Sequence, residues 1–193
     1  TGLISSAAPL VRMGILPSDY PLTCFSLTGY SGGGKQMIAE YEAEDSDGLL
    51  ASERIYGLNQ NHKHLPEMER ICGLTHPPIF VPVVGDFYKG MATTIMLQRD
   101  LLTRKLSGRE LRDALASYYA EQKFVSVAPY GGDGPVLFAA MLAGTNQLKL
   151  EVAGNDEQIT VTALFDNLGK GASGAAVQNM NLVLGFDEGA GLE

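Results

Sequence analysis

The sequence predicts an α+β fold: a mixed or antiparallel sheet covered by helices on one side. Three observations predict it. Strand-like segments often follow one another directly instead of alternating with helices. Residues 148–152 and 159–164 alternate apolar and polar side chains around Gly154-Asn155, the pattern of a β-hairpin. Helical stripes open and close the chain. With 193 residues, 45% hydrophobic and 19% charged, the chain can bury one large core. No repeat, low-complexity segment or internal domain boundary is visible, so residues 1–193 read as one domain.

Residues 1–13 carry Leu3, Ile4, Ala7, Ala8 and Val11 on one helical face, and Gly14 with Pro17 ends the run. Residues 21–28 read as a strand, followed by the glycines of 29–34 and a helix from Lys35 through Met37, Ile38 and Tyr41. Residues 45–52 form a polar loop, and 55–58 are too few to assign. Pro66, tolerated at a helix start, and Glu67 and Glu69 in the first turn predict a short helix over 66–72. Residues 79–84 and 91–98, rich in Val, Ile and Thr, read as strands. Ser107 with Glu110 forms a capping box ahead of a helix through Leu111, Leu115 and Tyr118. The last helix, 173–184, ends at Gly185. These patterns amount to about five strands and five helices.

Charge and composition exclude whole classes of function. Fourteen Lys and Arg stand against 22 Asp and Glu, a net charge of -8, so no positive field exists to hold nucleic acid. No apolar run approaches the ~20 residues of a membrane span. Cys24 and Cys72, without C-x-x-C spacing, read as buried thiols of a reduced, cytoplasmic protein.

Three segments carry chemistry. In 29–34, Gly29, Gly32, Gly33 and Gly34 let backbone N–H groups approach an anion, and Lys35 adds a positive charge. Gln36 stands where a P-loop needs Ser or Thr, so the loop is not of that type; a flexible connector is the other reading. His62-Lys63-His64-Leu65-Pro66-Glu67 holds two of the three histidines. In an extended segment both rings would face one side and could bind a metal with Glu67, or serve as an acid/base site; a solvated surface loop is the plain alternative. His76, before Pro77-Pro78, reads as a loop residue. Asp166 and Asn167 end a strand, where side chains point into a ligand crevice. Ala172, Ala175 and Ala176 behind them suit close helix packing.

Together these segments resemble the N-acetyl-γ-glutamyl-phosphate reductases, in their shorter bacterial type, of the semialdehyde dehydrogenase family. A Ser-Gly-x-Ser-Gly-x-Gly-[Arg/Lys] loop matches residues 28–35, a His-[Arg/Lys]-His-x-Pro-Glu motif matches 62–67, and an Asp-Asn-Leu-x-Lys-Gly-Ala motif running on to Asn181 matches 166–181. The resemblance implies a fold like the C-terminal domains of glyceraldehyde-3-phosphate dehydrogenase and semialdehyde dehydrogenases. It implies NADPH-dependent reduction of N-acetyl-γ-glutamyl phosphate to the semialdehyde and phosphate, in arginine biosynthesis, through a cysteine thioester. It assigns proton transfer to His64, with Glu67 orienting its ring. Substrate contacts fall on Ser31, Lys35 and His62, with Arg54 and Lys89 as further cations. NADP contacts fall on Gly32, Gly33 and Asn167, and no metal is implied. Longer members have Arg where this chain has Lys35. Thr1-Gly2 matches the residues just after the nucleophile in the family's Pro-Gly-Cys-x-[Ala/Pro]-Thr motif. The nucleophile and an NADP-binding Rossmann half are therefore expected ahead of Thr1, with residues 169–185 packing toward that half. The chain would then be the catalytic and dimerisation part of a homo-oligomer, a dimer or tetramer, and inactive alone. A metal-dependent hydrolase using His62, His64 and Glu67, and a non-catalytic oligomerisation module, are the competing classes.

Overall fold

The computed structural model describes residues 1–44, 48–132 and 134–192. Of the polar loop expected over 45–52, residues 45–47 lie outside the described residues, and Gly48–Ala51 form a 3-10 turn. Among the described residues seven strands form one sheet: β1 (Thr23–Gly29), β2 (Arg54–Ile55), β3 (Ile79–Gly85), β4 (Met91–Gln98), β5 (Val125–Val127), β6 (Leu148–Gly154) and β7 (Gln158–Phe165). Their order is β2-β3-β1-β4-β7-β6-β5. β1 pairs with β3, and β5 with β6, in parallel; the other pairs are antiparallel, so the sheet is mixed. β2 and β5 escape sequence reading because two and three residues are too few to display a period of two.

That period decides the layers. Cys24, Phe80, Ile95, Leu97, Leu150, Val152, Val161, Ala163 and Phe165 are buried on one face. Against it pack α1 (Gly2–Arg12), α3 (Leu65–Cys72) and α4 (Gly108–Tyr118), through Leu3, Ala7 and Leu10, Leu65 and Met68, and Leu111 and Leu115. The opposite face leaves Phe25, Ile79 and Met96 exposed. α4 starts on the expected capping box, with Ser107 Oγ accepting the Glu110 N–H and Glu110 Oε2 accepting the Ser107 N–H at 2.8 Å. α2 (Gly34–Tyr41) buries none of its residues. α5 (Gly174–Leu184) ends at Gly185 in the left-handed region as expected, but a π-helical turn, Gly169–Ser173, leads into it instead of a regular first turn. No helix among the described residues is long and apolar enough to cross a membrane.

The β6–β7 hairpin joins the sheet's central and outer strands. Its turn is closed by Asn155, whose Oδ1 accepts the N–H groups of Glu157 and Gln158 at 2.9 and 2.8 Å. Gly154 has φ +134°, and a Cβ there would fall 2.1 Å from the Gln158 carbonyl oxygen. Gly154→Ala is therefore expected to destabilise the protein by at least about 1 kcal/mol, read as a lower urea midpoint at unchanged slope.

Candidate functional site

A cavity of about 400 Å³ opens between the amino end of α1, the turn before α3 and the sheet face beneath them. Its floor crosses three neighbouring strands, because Pro82 pairs with Ser26 and Ser26 with Thr93. Ser26 and Thr93 share a buried hydroxyl–hydroxyl hydrogen bond of 2.8 Å. Gly2 lets α1 sit directly on this floor, since a Cβ would lie 2.5 Å from Thr93 Cβ and 2.8 Å from the Phe165 ring. Both polar strand residues occupy the buried parity of β1 and β4, a signal present in the sequence but masked by the apolar residues around it.

The histidine pair enters from a turn, not from the extended segment that spacing suggested. Leu65 N–H donates to the His62 carbonyl at 3.0 Å, His64 is the N-cap of α3, and the two rings lie 5.0 Å apart, edge to face. His62 Nδ1 accepts the backbone N–H of His64 at 3.3 Å, which assigns the ring proton to Nε2. Its ring also meets Phe80 at 5.1 Å and Tyr56 at 6.0 Å. Burial, then the charges of His64 and Lys63, pull His62 below its ordinary value. Burial likewise lowers His64, and the Glu67 carboxylate opposes that shift by charge. Glu67, expected to orient the His64 ring, bears on it by charge. Among the described residues no three His, Cys, Asp or Glu side chains are grouped to hold a metal ion, so the hydrolase alternative has no donor set there.

Asn167 reaches the same cavity from the end of β7. Its Oδ1 accepts the Gly90 N–H at 2.8 Å, and its Nδ2 donates to Ser31 Oγ at 3.0 Å, leaving one N–H of the amide for a ligand. Gly32 adjoins it: a Cβ there would lie 3.4 Å from Nδ2. Asp166 anchors this corner. It is 1% exposed and accepts N–H groups from Leu168 at 2.7 Å, Gly169 at 2.9 Å and Gly144, with Lys89 Nζ 3.9 Å away. Burial pushes its carboxyl up, but the three N–H donors and Lys89 together hold it below its ordinary value of 3.8.

The fold thus brings His62, His64, Glu67, Gly32 and Asn167 to one cavity. Three other expected residues do not line it. Ser31 is buried and spent on Asn167; Gly33 packs against Met37, which a Cβ would strike at 2.4 Å. Lys35 stands exposed in the first turn of α2, none of whose residues is buried. Arg54 is outside as well, paired with Glu40 at 2.9 Å and lying over the Tyr41 ring. Lys89 faces a second cavity, of about 670 Å³, with Asn146, Asp166 and Ser173. Sequence reading missed Tyr56, which follows a strand of two residues, and gave no separate role to Lys63, the cation that does line the cavity. Cys24 and Cys72 are structural: burial pushes their thiols up to about 12 and about 11, and neither lines the cavity.

A family model described as the semialdehyde dehydrogenase, dimerisation domain, matches residues 1–167, and the chain belongs to that family. Among curated relatives it is 45% identical over 203 residues, all of this chain, to "N-acetyl-gamma-glutamyl-phosphate reductase 2" of Nostoc sp.. It is 46% identical over 192 residues to "N-acetyl-gamma-glutamyl-phosphate reductase" of Mesorhizobium japonicum. The chain spans 63% and 61% of those proteins' lengths. In fold it is similar to aspartate semialdehyde dehydrogenase II from Vibrio cholerae, with a TM-score of 0.67 at 15% identity over 94% of this chain and 59% of that one.

Replacing Asp166 tests the anchor. Asp166→Asn would set an amide N–H against one of the three backbone donors and should destabilise by roughly 1–3 kcal/mol. Because the carboxyl is held low, its contribution is complete above the ordinary pKa of 3.8 and disappears as the pH falls through the lower, folded value. The difference in urea stability between wild type and Asp166→Asn should therefore shrink below about pH 4.

Proposed function

We propose that the enzyme carrying this chain reduces N-acetyl-γ-glutamyl phosphate to N-acetylglutamate semialdehyde and phosphate, with NADPH as reductant. One observation supports this most: three motifs, each matching the reductases and far apart in sequence, converge on one cavity. Similarity to reductases at 45% and 46% identity points the same way.

In this reading a thiolate supplied at the amino end of α1 attacks the acyl carbon and phosphate departs. The α1 N-terminus favours that thiolate, because its free N–H groups carry partial positive charge. His64 takes the thiol proton and later returns one to the substrate oxygen, a role suited to a ring that partial desolvation draws below its ordinary value. Glu67 steadies the imidazolium by charge. His62, protonated on Nε2, donates to a substrate oxygen as a neutral group. NADPH, when bound, supplies the hydride that takes the acyl group to the aldehyde; Gly32, by lacking a side chain, and the spare N–H of Asn167 are the groups of this chain suited to its nicotinamide end. Lys63 offers the anionic substrate a cation inside the cavity, with Lys35 and the glycine-loop amides outside it.

We also infer a homo-oligomer formed through the open sheet face, where Phe25, Ile79 and Met96 are 38–57% exposed. The terminal helix exposes Leu182, Val183 and Leu184, and Phe186 lies just beyond it; this apolar flank suits packing on an NADP-binding half.

Acyl-phosphate-dependent oxidation of NADPH by the full-length enzyme tests the function, and a protein that binds the acyl phosphate without turning it over would refute it. His64→Asn should lower kcat by roughly two to four orders of magnitude. Since His64 works as a neutral base and is held below 6.5, the acid limb of kcat/KM should lie below that pH, activity falling as the ring protonates. Lys63→Ala should raise KM for the acyl phosphate several-fold more than Lys35→Ala does; the reverse order would return the inner anion site to the glycine loop.

A further inference from the structure

Gln60 is the single non-glycine residue with positive φ, +53°, among the described residues. Backbone held in this sparsely populated region persists where the surroundings over-determine it, and such positions cluster at functional sites. What over-determines Gln60 is its own side chain. Its Nε2 donates to the Phe80 carbonyl at 2.9 Å, and its Oε1 accepts the Phe80 N–H at 3.0 Å. The carboxamide thus takes the place of a neighbouring strand.

It does so at a gap in the sheet. β2 pairs with β3 only at Val83 and Val84, so the outer edge of β3 is uncovered below them. Tyr56 N–H caps the Pro82 carbonyl at 3.1 Å, and Gln60 satisfies both backbone groups of Phe80. The loop between Tyr56 and His62 is thereby laced along the edge of β3, and Gln60 N–H closes its turn on the Gly57 carbonyl at 3.0 Å. Two residues on, the His62 ring rests on the Phe80 ring and its Nδ1 holds the His64 N–H. The chain of contacts runs from Phe80 backbone to Gln60, to His62, to His64.

We propose that Gln60 is the positioning residue of the histidine pair: its two hydrogen bonds to Phe80 fix the distance of the His62–His64 turn from the cavity floor and hold His62 in the Nε2–H form. The assignment rests on the reductase reading of the same cavity. Gln60 touches no reacting atom; it acts through His62 and His64, and a displacement of about 1 Å in such groups can cost 10²-fold in rate.

The test uses the full-length enzyme with Gln60→Gly, which accepts φ +53° more readily than glutamine while deleting both hydrogen bonds. Expected are a kcat lower by roughly ten- to a hundredfold, a KM changed less than kcat, and loss of the His62 ring signature. That signature is an unprotonated Nδ1 in histidine nitrogen spectra and ring-to-ring contacts with Phe80. Gln60→Glu, which keeps an acceptor for the Phe80 N–H and loses the donor, should fall between glycine variant and wild type in both readouts. If Gln60→Gly does not fold, Gln60→Glu alone decides. A variant with lowered melting temperature but unchanged kcat and unchanged His62 spectrum would overturn the proposal, since Gln60 would then serve stability alone. Wild-type protein without acyl-phosphate reduction would instead refute the reductase reading, and the ring spectra would still report whether Gln60 holds the turn.

Discussion

The site depends on one buried carboxylate. Asp166 ends β7 beneath the surface, where an unpaired charge would be prohibitive, and it is tolerated because three backbone N–H groups converge on it from two loops. The same hydrogen bonds fix the chain on either side of it. The Gly171 N–H returns to the Asp166 carbonyl at 2.8 Å, which shapes the π-helical turn, and Asn167 is left pointing across to the glycine loop and the start of β4. One residue therefore sets the position of three segments that lie far apart in sequence.

Around that anchor the cavity is built from short polar contacts over a floor whose apolar side chains are interrupted by the Ser26–Thr93 hydroxyl pair. Partial burial disfavours the charged form of both histidines, and at His62 the neighbouring His64 adds to the effect. The result is a pair of neutral rings beside Lys63, in a protein of net charge -8. Two such rings can accept protons in a cavity whose surroundings are only weakly positive. The two thiols, pushed high by burial, are correspondingly unreactive.

The sheet has two faces with different fates. One is closed by α1, α3 and α4, and its interior parity is apolar except where the cavity lies. The other carries threonines, including the Thr94–Thr162 hydroxyl pair at 2.9 Å, alongside exposed Phe25, Ile79 and Met96. Apolar and hydroxyl side chains are thus mixed on that face of a chain whose family is described as a dimerisation domain.

By itself the sequence determined what local chemistry dictates. The Ser107–Glu110 capping box and the Gly154-Asn155 hairpin are set by contacts within a few residues, and the strands expected over 79–84 and 91–98 show in their Val, Ile and Thr content, so punctuation and composition reveal them. The motifs of 62–67 and 166–181 were equally legible as residue types. What required tertiary structure was the placing of distant segments: that Lys63 lines the cavity while Lys35 does not, and that Tyr56 and Gln60 border β3 at all. β2 is two residues long, and Gln60 takes a strand's place with a side chain. Neither leaves a periodic trace, because their hydrogen-bond partners lie on β3, more than twenty positions away for Tyr56 and twenty for Gln60.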